Sequence, residues 1–361
     1  MSKKTQTEAA VLAISPNSAL ECIESAIAVD RPLMMWGPPG IGKSELVHQI
    51  AKKQGRKVRD VRLALYDPTD LKGMPYLSKE DTLKWAPSSE IPFLDPDSDD
   101  ILFLDELPSA PPSVQAAAYQ LILNRRIGEH VLPPKCSIIA AGNRENDRGV
   151  TFKMPKPLAN RFIHIELRVD ADEWINYAIN NNVHKDIVGY ISHMKQDLFA
   201  FDPASASHSF ATPRTWFFLD NILKKCENLS KDTLATMIAG TIGDGIAVKF
   251  LQHRKIAEKL PKALDVLQGK VTTLDTKDIS ACYSLIISLC YELKIHHDKK
   301  EKESTLKSYM ENYINYMMDN FEAEMIMAGI KILVRNYNID IDISDSDSYE
   351  KFHKKYGKYI N

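Results

Sequence analysis

Residues 37–44 read Gly-Pro-Pro-Gly-Ile-Gly-Lys-Ser. Glycines one, three and six places ahead of a Lys-Ser pair suit one chemistry, the cradling of phosphate. Glycine lets the backbone curl until its N–H groups converge on an anion. A helix opening at that point adds the positive end of its dipole. Lys43 is placed to reach outer phosphate oxygens, and the Ser44 hydroxyl to ligate magnesium. The expected phosphate-contacting set is Gly37, Pro38, Pro39, Gly40, Ile41, Gly42, Lys43, Ser44 and Glu45. A second acidic signal is Asp105-Glu106, at the end of the apolar run Ile101 to Leu104. Asp105 is the expected partner of Ser44 in holding the metal. Glu106 is the expected polariser of an attacking water, since phosphoryl transfer asks mainly for positioning and charge.

These side chains need elements to present them. Pro32 to Trp36, Ile101 to Leu104, Cys136 to Ala141 and Phe162 to Leu167 are short apolar runs that predict buried strands. Residues 57–66 alternate basic and apolar and predict another. Helices are predicted over 17–29 (capped by Asn17 or Ser18), 44–54 (stopped by Gly55) and 113–123. Alternating strands and helices through residue 170 predict an α/β domain with a mostly parallel sheet. Beyond 170 the pattern turns helical: 172–180, 188–197, 213–225, 230–240 and 280–293. The expected divisions are 1–170, 171–255 and 256–361, the last ending in a charged tail.

Four further segments resemble the AAA+ ATPases, specifically the MoxR-like group of the dynein-related branch. DELPSAPPSVQAAAYQLILNRRIG (105–128) resembles the acidic motif and its Ala-Pro-Pro helix. SIIAAGNRE (137–145) resembles the strand that ends in the sensor-1 asparagine, here Asn143. PLANRFIHIEL (157–167) resembles the arginine-finger segment, here Arg161. ATPRTW (211–216) resembles the start of the lid helix with its sensor-2 arginine, here Arg214. The resemblance spans roughly residues 15–250. It implies an α/β core followed by an α-helical lid, with a helical C-terminal extension left over. It also implies ATP and Mg2+ as ligands, ATP hydrolysis, a ring of subunits (a hexamer), and a protein substrate. A separate von Willebrand factor A-type protein is the implied partner class. The chain departs from the family at Leu107-Pro108-Ser109, where many members have Ile-Asn-Arg.

Composition limits the alternatives. The chain has 46 basic and 48 acidic residues, net −2, with no basic surplus in either 1–170 or 171–361. That balance weighs against a general nucleic-acid binder, although a motor or loader needs only a basic pore. A slow nucleotide-dependent switch is a further reading, which Glu106 and Arg161 disfavour. Five scattered cysteines without a CxxC pair read as reduced thiols in the cytoplasm. The start lacks a signal-peptide core, and no apolar run is long enough to span a membrane. Arg125, Arg126, Arg144 and Arg148 are read as ordinary surface charges. The Asp95, Asp97, Asp99 and Asp100 cluster reads as a solvated turn. Residues 67–92 exceed an ordinary loop. Their Met74, Tyr76 and Trp85 either contact a partner or pack on their own body, and packing is the simpler expectation.

Overall fold

The computed structural model describes residues 13–147, 152–226, 228–276, 278–339 and 341–357. The leader reading, which rests on residues 1–12, and Arg148 lie outside them. The described residues form two compact units: those up to Asp170 with Phe201–Ser205, and Ala171–Ala200 with those from Ala206 onward.

In chain order the first unit runs β1 (Ala13–Ile14), α1 (Pro16–Ala28), β2 (Leu33–Trp36), α2 (Lys43–Gln54), β3 (Val58–Arg62), α3 (Pro68–Lys72), β4 (Met74–Leu77) and β5 (Leu83–Ala86). It continues through β6 (Ile101–Asp105), α4 (Pro112–Asn124), β7 (Arg126–Ile127), β8 (His130–Val131), β9 (Ser137–Gly142), α5 (Lys156–Ala159) and β10 (Ile163–Leu167). Six strands make one sheet in the order β1-β10-β2-β9-β6-β3, with every pairing parallel. The expected α/β class therefore holds, and the antiparallel pairs are confined to two separate hairpins, β4-β5 and β7-β8.

Parallel strands bury both faces, and alternation along each strand divides the core. Met34, Leu102, Leu104, Ile138 and Ala140 share one cluster with Val114, Ala118 and Leu121 of α4. The alternate residues Leu33, Met35, Phe103 and Ile139 are equally buried. Helices α1 and α2 pack together, and both contact β9.

Local corrections have local causes. Ser15, not Asn17 or Ser18, caps α1 by accepting from the Ser18 N–H, and Pro16 takes the first helical position. The strand expected over 57–66 stops at Arg62, because its partner β6 ends at the register pair Arg62–Asp105. Leu63–Leu65 then turn as 3-10 helix. The helix expected over 188–197 is Lys185–His193, since the His184 ring accepts from the Asp186 N–H and starts it early.

The second unit is helical: α6 (Ala171–Asn180), α7 (Lys185–His193), α8 (Pro213–Lys225), α9 (Lys231–Ile242), α10 (Asp244–Ala257), α11 (Ala263–Leu267), α12 (Ile279–Asp298), α13 (Glu303–Asn320), α14 (Ala323–Lys331) and α15 (Asp347–Tyr356). Helix α12 packs on α7, α10, α11, α13 and α14. Gly189 permits the α7–α12 approach, since a β-carbon there would lie 3.2 Å from the Ser284 Cα. No helix of the described residues is long and apolar enough to cross a membrane. The five cysteines are free thiols. Burial pushes Cys136 up to about 11 and Cys290 up to about 12, which keeps both in the unreactive thiol form.

His253 lies in this helical core, 3% exposed. Its Nδ1 meets Ser280 Oγ at 2.6 Å, and its Nε2 is buried without a hydrogen-bond partner among the described residues. Burial pushes the imidazole down to about 4, against the opposing pull of Asp186 and Asp278. The unfolded chain takes up this proton near 6.5, roughly the value of a free histidine. Between those values the unfolded state binds more protons, so stability falls as pH drops from about 6.5 toward about 4. The expected loss is roughly 2–3 kcal/mol. Urea titrations across that window should show it, and His253→Phe should flatten it. An equal acid slope in the variant would assign the loss elsewhere.

Candidate functional site

Strands β2, β6 and β9 lie side by side, so their C-terminal ends converge, and open parallel sheets bind ligands at that edge. The loop after β2 carries the glycine-rich motif. Gly40 (φ 76°) and Gly42 (φ 102°) adopt left-handed backbone that ordinary side chains resist. Helix α2 opens directly on Gly42 with no side-chain cap, which leaves its N-terminal end to whatever anion the loop receives.

Lys43 Nζ donates to the Gly37 carbonyl at 2.8 Å, the Pro38 carbonyl at 3.0 Å and Asn143 Oδ1 at 3.0 Å. Ser44 Oγ donates to Asp105 Oδ2 at 3.3 Å. Lys43, Ser44, Asp105 and Asn143, drawn from three separate stretches of sequence, thus form one connected cluster. Ser44 and Asp105 offer hard oxygen donors side by side, a set that fits a magnesium ion. Glu106 stands next to them in left-handed backbone (φ 56°), its N–H donating to Asp105 Oδ1 at 2.9 Å. A non-glycine residue held so at a strand end is backbone strain retained at a prospective catalytic position. The Glu106 side chain is exposed. Gly142 sits tight against this turn, for a β-carbon there would fall 2.3 Å from Pro108 Cδ.

Arg161 is exposed on the turn after α5. Arg214 belongs to the other unit, exposed in the first turn of α8, which Thr212 and Thr215 cap reciprocally. Other basic residues near these motifs are committed to structure. Arg144 grips Asp147 (3.0 Å) and Glu166 (2.6 Å), and its bonds to Asp147 raise its affinity for the proton further. Arg125 donates to the carbonyls of Pro133, Pro134 and Cys136 and pairs with Asp30. Arg126 closes its own hairpin on the Gly128 carbonyl. In the acidic cluster, buried Asp100 takes Arg59 at 2.6 Å, and its N–H donates to Ser98 Oγ.

Comparison with known families bears on the first unit. The family model described as AAA domain (dynein-related subfamily) matches residues 32–162. Residues 32–162 are thus the part of the chain that is similar to an AAA domain. That segment contains the whole Lys43–Ser44–Asp105–Asn143 cluster and Arg161, whereas Arg214 lies beyond it. Midasin of Giardia intestinalis is 27% identical over 178 residues, covering 47% of this chain and 4% of Midasin. The chain therefore matches only a small part of that relative. Among solved structures, a putative ATPase of Cytophaga hutchinsonii is 12% identical with a TM-score of 0.36, over 97% of this chain and 91% of its own. A RuvB variant of Thermotoga maritima is 18% identical with a TM-score of 0.38, over 84% and 85%.

The first unit carries two features that the sequence motifs do not announce. The β4-β5 hairpin exposes Met74 (69%), Tyr76 (48%), Leu77 (67%) and Leu83 (65%), so Met74 and Tyr76 do not pack on their own body as expected. Trp85 is half-buried, and its carbonyl accepts from His130 Nε2 of β8 at 2.9 Å, which ties the two hairpins together. The second feature is on β10. His164 and Glu166 point to one side of a core strand, His164 bonded to Trp36 and Glu166 to Arg144.

Proposed function

We propose that this chain binds and hydrolyses ATP as a ring-forming MoxR-like AAA+ ATPase and uses the energy to remodel or activate a protein partner. The observation that carries the reading is the cluster of Lys43, Ser44, Asp105 and Asn143 at the edge of an AAA-domain sheet. Gly37, Pro38, Pro39, Gly40, Ile41, Gly42 and Glu45 complete the phosphate cradle with Lys43 and Ser44. Lys43 trades backbone carbonyls for phosphate oxygens when nucleotide enters. Ser44 and Asp105 would hold a magnesium ion, which would supply neutralisation of phosphate charge there. Glu106 takes a proton from the attacking water, and Asn143 orients that water or the outermost phosphate. Arg161 acts in the site of the next subunit, where a guanidinium offsets charge on the transferring group. We assign Arg214, at a helix start in a lid spanning 171–255, to the sensor-2 role toward an anionic ligand, and residues 256–361 to a helical C-terminal extension.

The setting we infer is cytoplasmic. The exposed Met74, Tyr76, Leu77 and Leu83 are the surface we assign to a protein partner, of which a von Willebrand factor A-type protein is one candidate class. Apolar side chains gathered on one projecting hairpin mark interaction surfaces. Turnover per subunit should rise with protein concentration, with Lys43→Ala as the blank. Glu106→Gln should hold nucleotide without turning it over and retain its partner in cellular pull-downs. A flat, low rate at all concentrations would leave a switch in place of a motor. Salt-sensitive DNA or RNA binding would favour a nucleic-acid motor.

A further inference from the structure

His164 is held through both ring nitrogens. The indole N–H of Trp36 donates to its Nδ1 at 2.9 Å, and indole can only donate. Nδ1 is therefore the unprotonated nitrogen, and Nε2 donates to the Ala159 carbonyl at 2.7 Å. The two bonds fix one neutral tautomer. The rings of Trp36 and His164 lie edge to edge and nearly coplanar, with centroids 6.1 Å apart and planes 15° apart.

Each end of this link matters. Trp36 is the last residue of β2, and the next residue, Gly37, gives its carbonyl to Lys43. The Ala159 carbonyl accepts a second bond, from the Phe162 N–H at 3.2 Å, so it closes the turn that carries Arg161. One imidazole thus spans from the phosphate loop to the arginine turn. Two residues further along β10, Glu166 holds Arg144, the neighbour of Asn143, at 2.6 Å.

We propose that His164 is a positioning residue that couples the state of a subunit's own phosphate loop to the Arg161 it offers to the next subunit. The inference rests on the reading of Arg161 as a finger acting in trans. Its chemical logic is geometric. Movement at Trp36 on nucleotide entry is passed through two short hydrogen bonds to the turn that carries Arg161.

The test is steady-state ATP turnover by the full chain. His164→Phe keeps an aromatic ring and loses both bonds. It should lower kcat about tenfold or more, since small misplacements of a catalytic group are costly. KM for ATP should stay within about twofold of the parent, because the phosphate cradle is intact. Trp36→Phe, which keeps an aromatic ring but loses the N–H donor and part of the indole, should shift kcat in the same direction. In an Arg161→Ala background, His164→Phe should cause no further loss, as expected for groups acting through one another. A raised KM with unchanged kcat, or losses that multiply in the double variant, would overturn the proposal. So would parental kinetics in both His164→Phe and Trp36→Phe. If His164→Phe does not fold, Trp36→Phe and its combination with Arg161→Ala decide the matter alone. Parental turnover in Arg161→Ala overturns the finger itself, and this coupling with it. That failure is recognised separately because His164 is untouched in that variant.

Discussion

Lys43→Ala is expected to lower kcat/KM for ATP by on the order of 10²–10³-fold, most of it through lost nucleotide affinity. Lys43 is the fixed charge nearest the converging loop, and its ammonium already sits among three oxygen acceptors. Phosphate oxygens carry full charge and displace neutral carbonyls from such a group, because charge-assisted hydrogen bonds are the stronger ones. Alanine removes that charge and also strands the Gly37 and Pro38 carbonyls and the Asn143 amide. The same change should therefore lower stability by about 1 kcal/mol. For a unit of this size that is a melting shift of roughly 2–4 °C. Binding of a fluorescent ATP analogue, read beside a thermal melt, separates the two effects. Near-parental affinity would show that the loop does not hold phosphate through this lysine.

The second large effect is expected at Arg161. Arg161→Ala should lower kcat by roughly 10³-fold or more while leaving nucleotide binding near the parental value, as for arginines that stabilise transferring phosphoryl groups. The sharper measurement mixes two inactive variants. Arg161→Ala keeps its own Glu106, and Glu106→Gln keeps its own Arg161. If the arginine works across a subunit boundary, mixed assemblies contain interfaces with both groups intact, and turnover returns. A mixture as inactive as its components would place Arg161 within its own subunit or outside the chemistry. The exposure of Arg161 on the turn after α5 is consistent with the first outcome.

Much of this site was legible in sequence because phosphate binding is a local problem. Gly40, Gly42, Lys43 and Ser44 form one turn, and their backbone demands are met within the motif. The apolar runs at 32–36, 101–104 and 136–141 also announced buried parallel strands, since few other elements are apolar on both faces. Interactions between distant segments were hidden. That Arg144 is committed to Glu166, or that Arg125 pairs with Asp30, depends on which distant segments lie side by side, which no local pattern encodes. A usable signal was nevertheless present in Ile-His-Ile-Glu-Leu at 163–167. Two polar residues at alternate positions of a core strand need partners, and both have them. The hairpin misled for the opposite reason. Its apolar residues looked like packing groups, but a two-stranded element offers no second layer to receive them.

The order of strands in the sheet has a consequence for how the protein is made. Strand β2 pairs with β9 and β10, whose residues lie more than a hundred positions later in the chain. At typical synthesis speeds the ribosome takes roughly 6–25 s to advance from Trp36 to Ile163. For most of that interval the nascent Leu33–Trp36 segment has neither of its final neighbours, since β9 is made only shortly before β10. Only β3 and β6 can meet early. The central strand β2 is therefore completed only by long-range parallel pairing, which is intrinsically slow and leaves its apolar residues exposed to aggregation in the meantime.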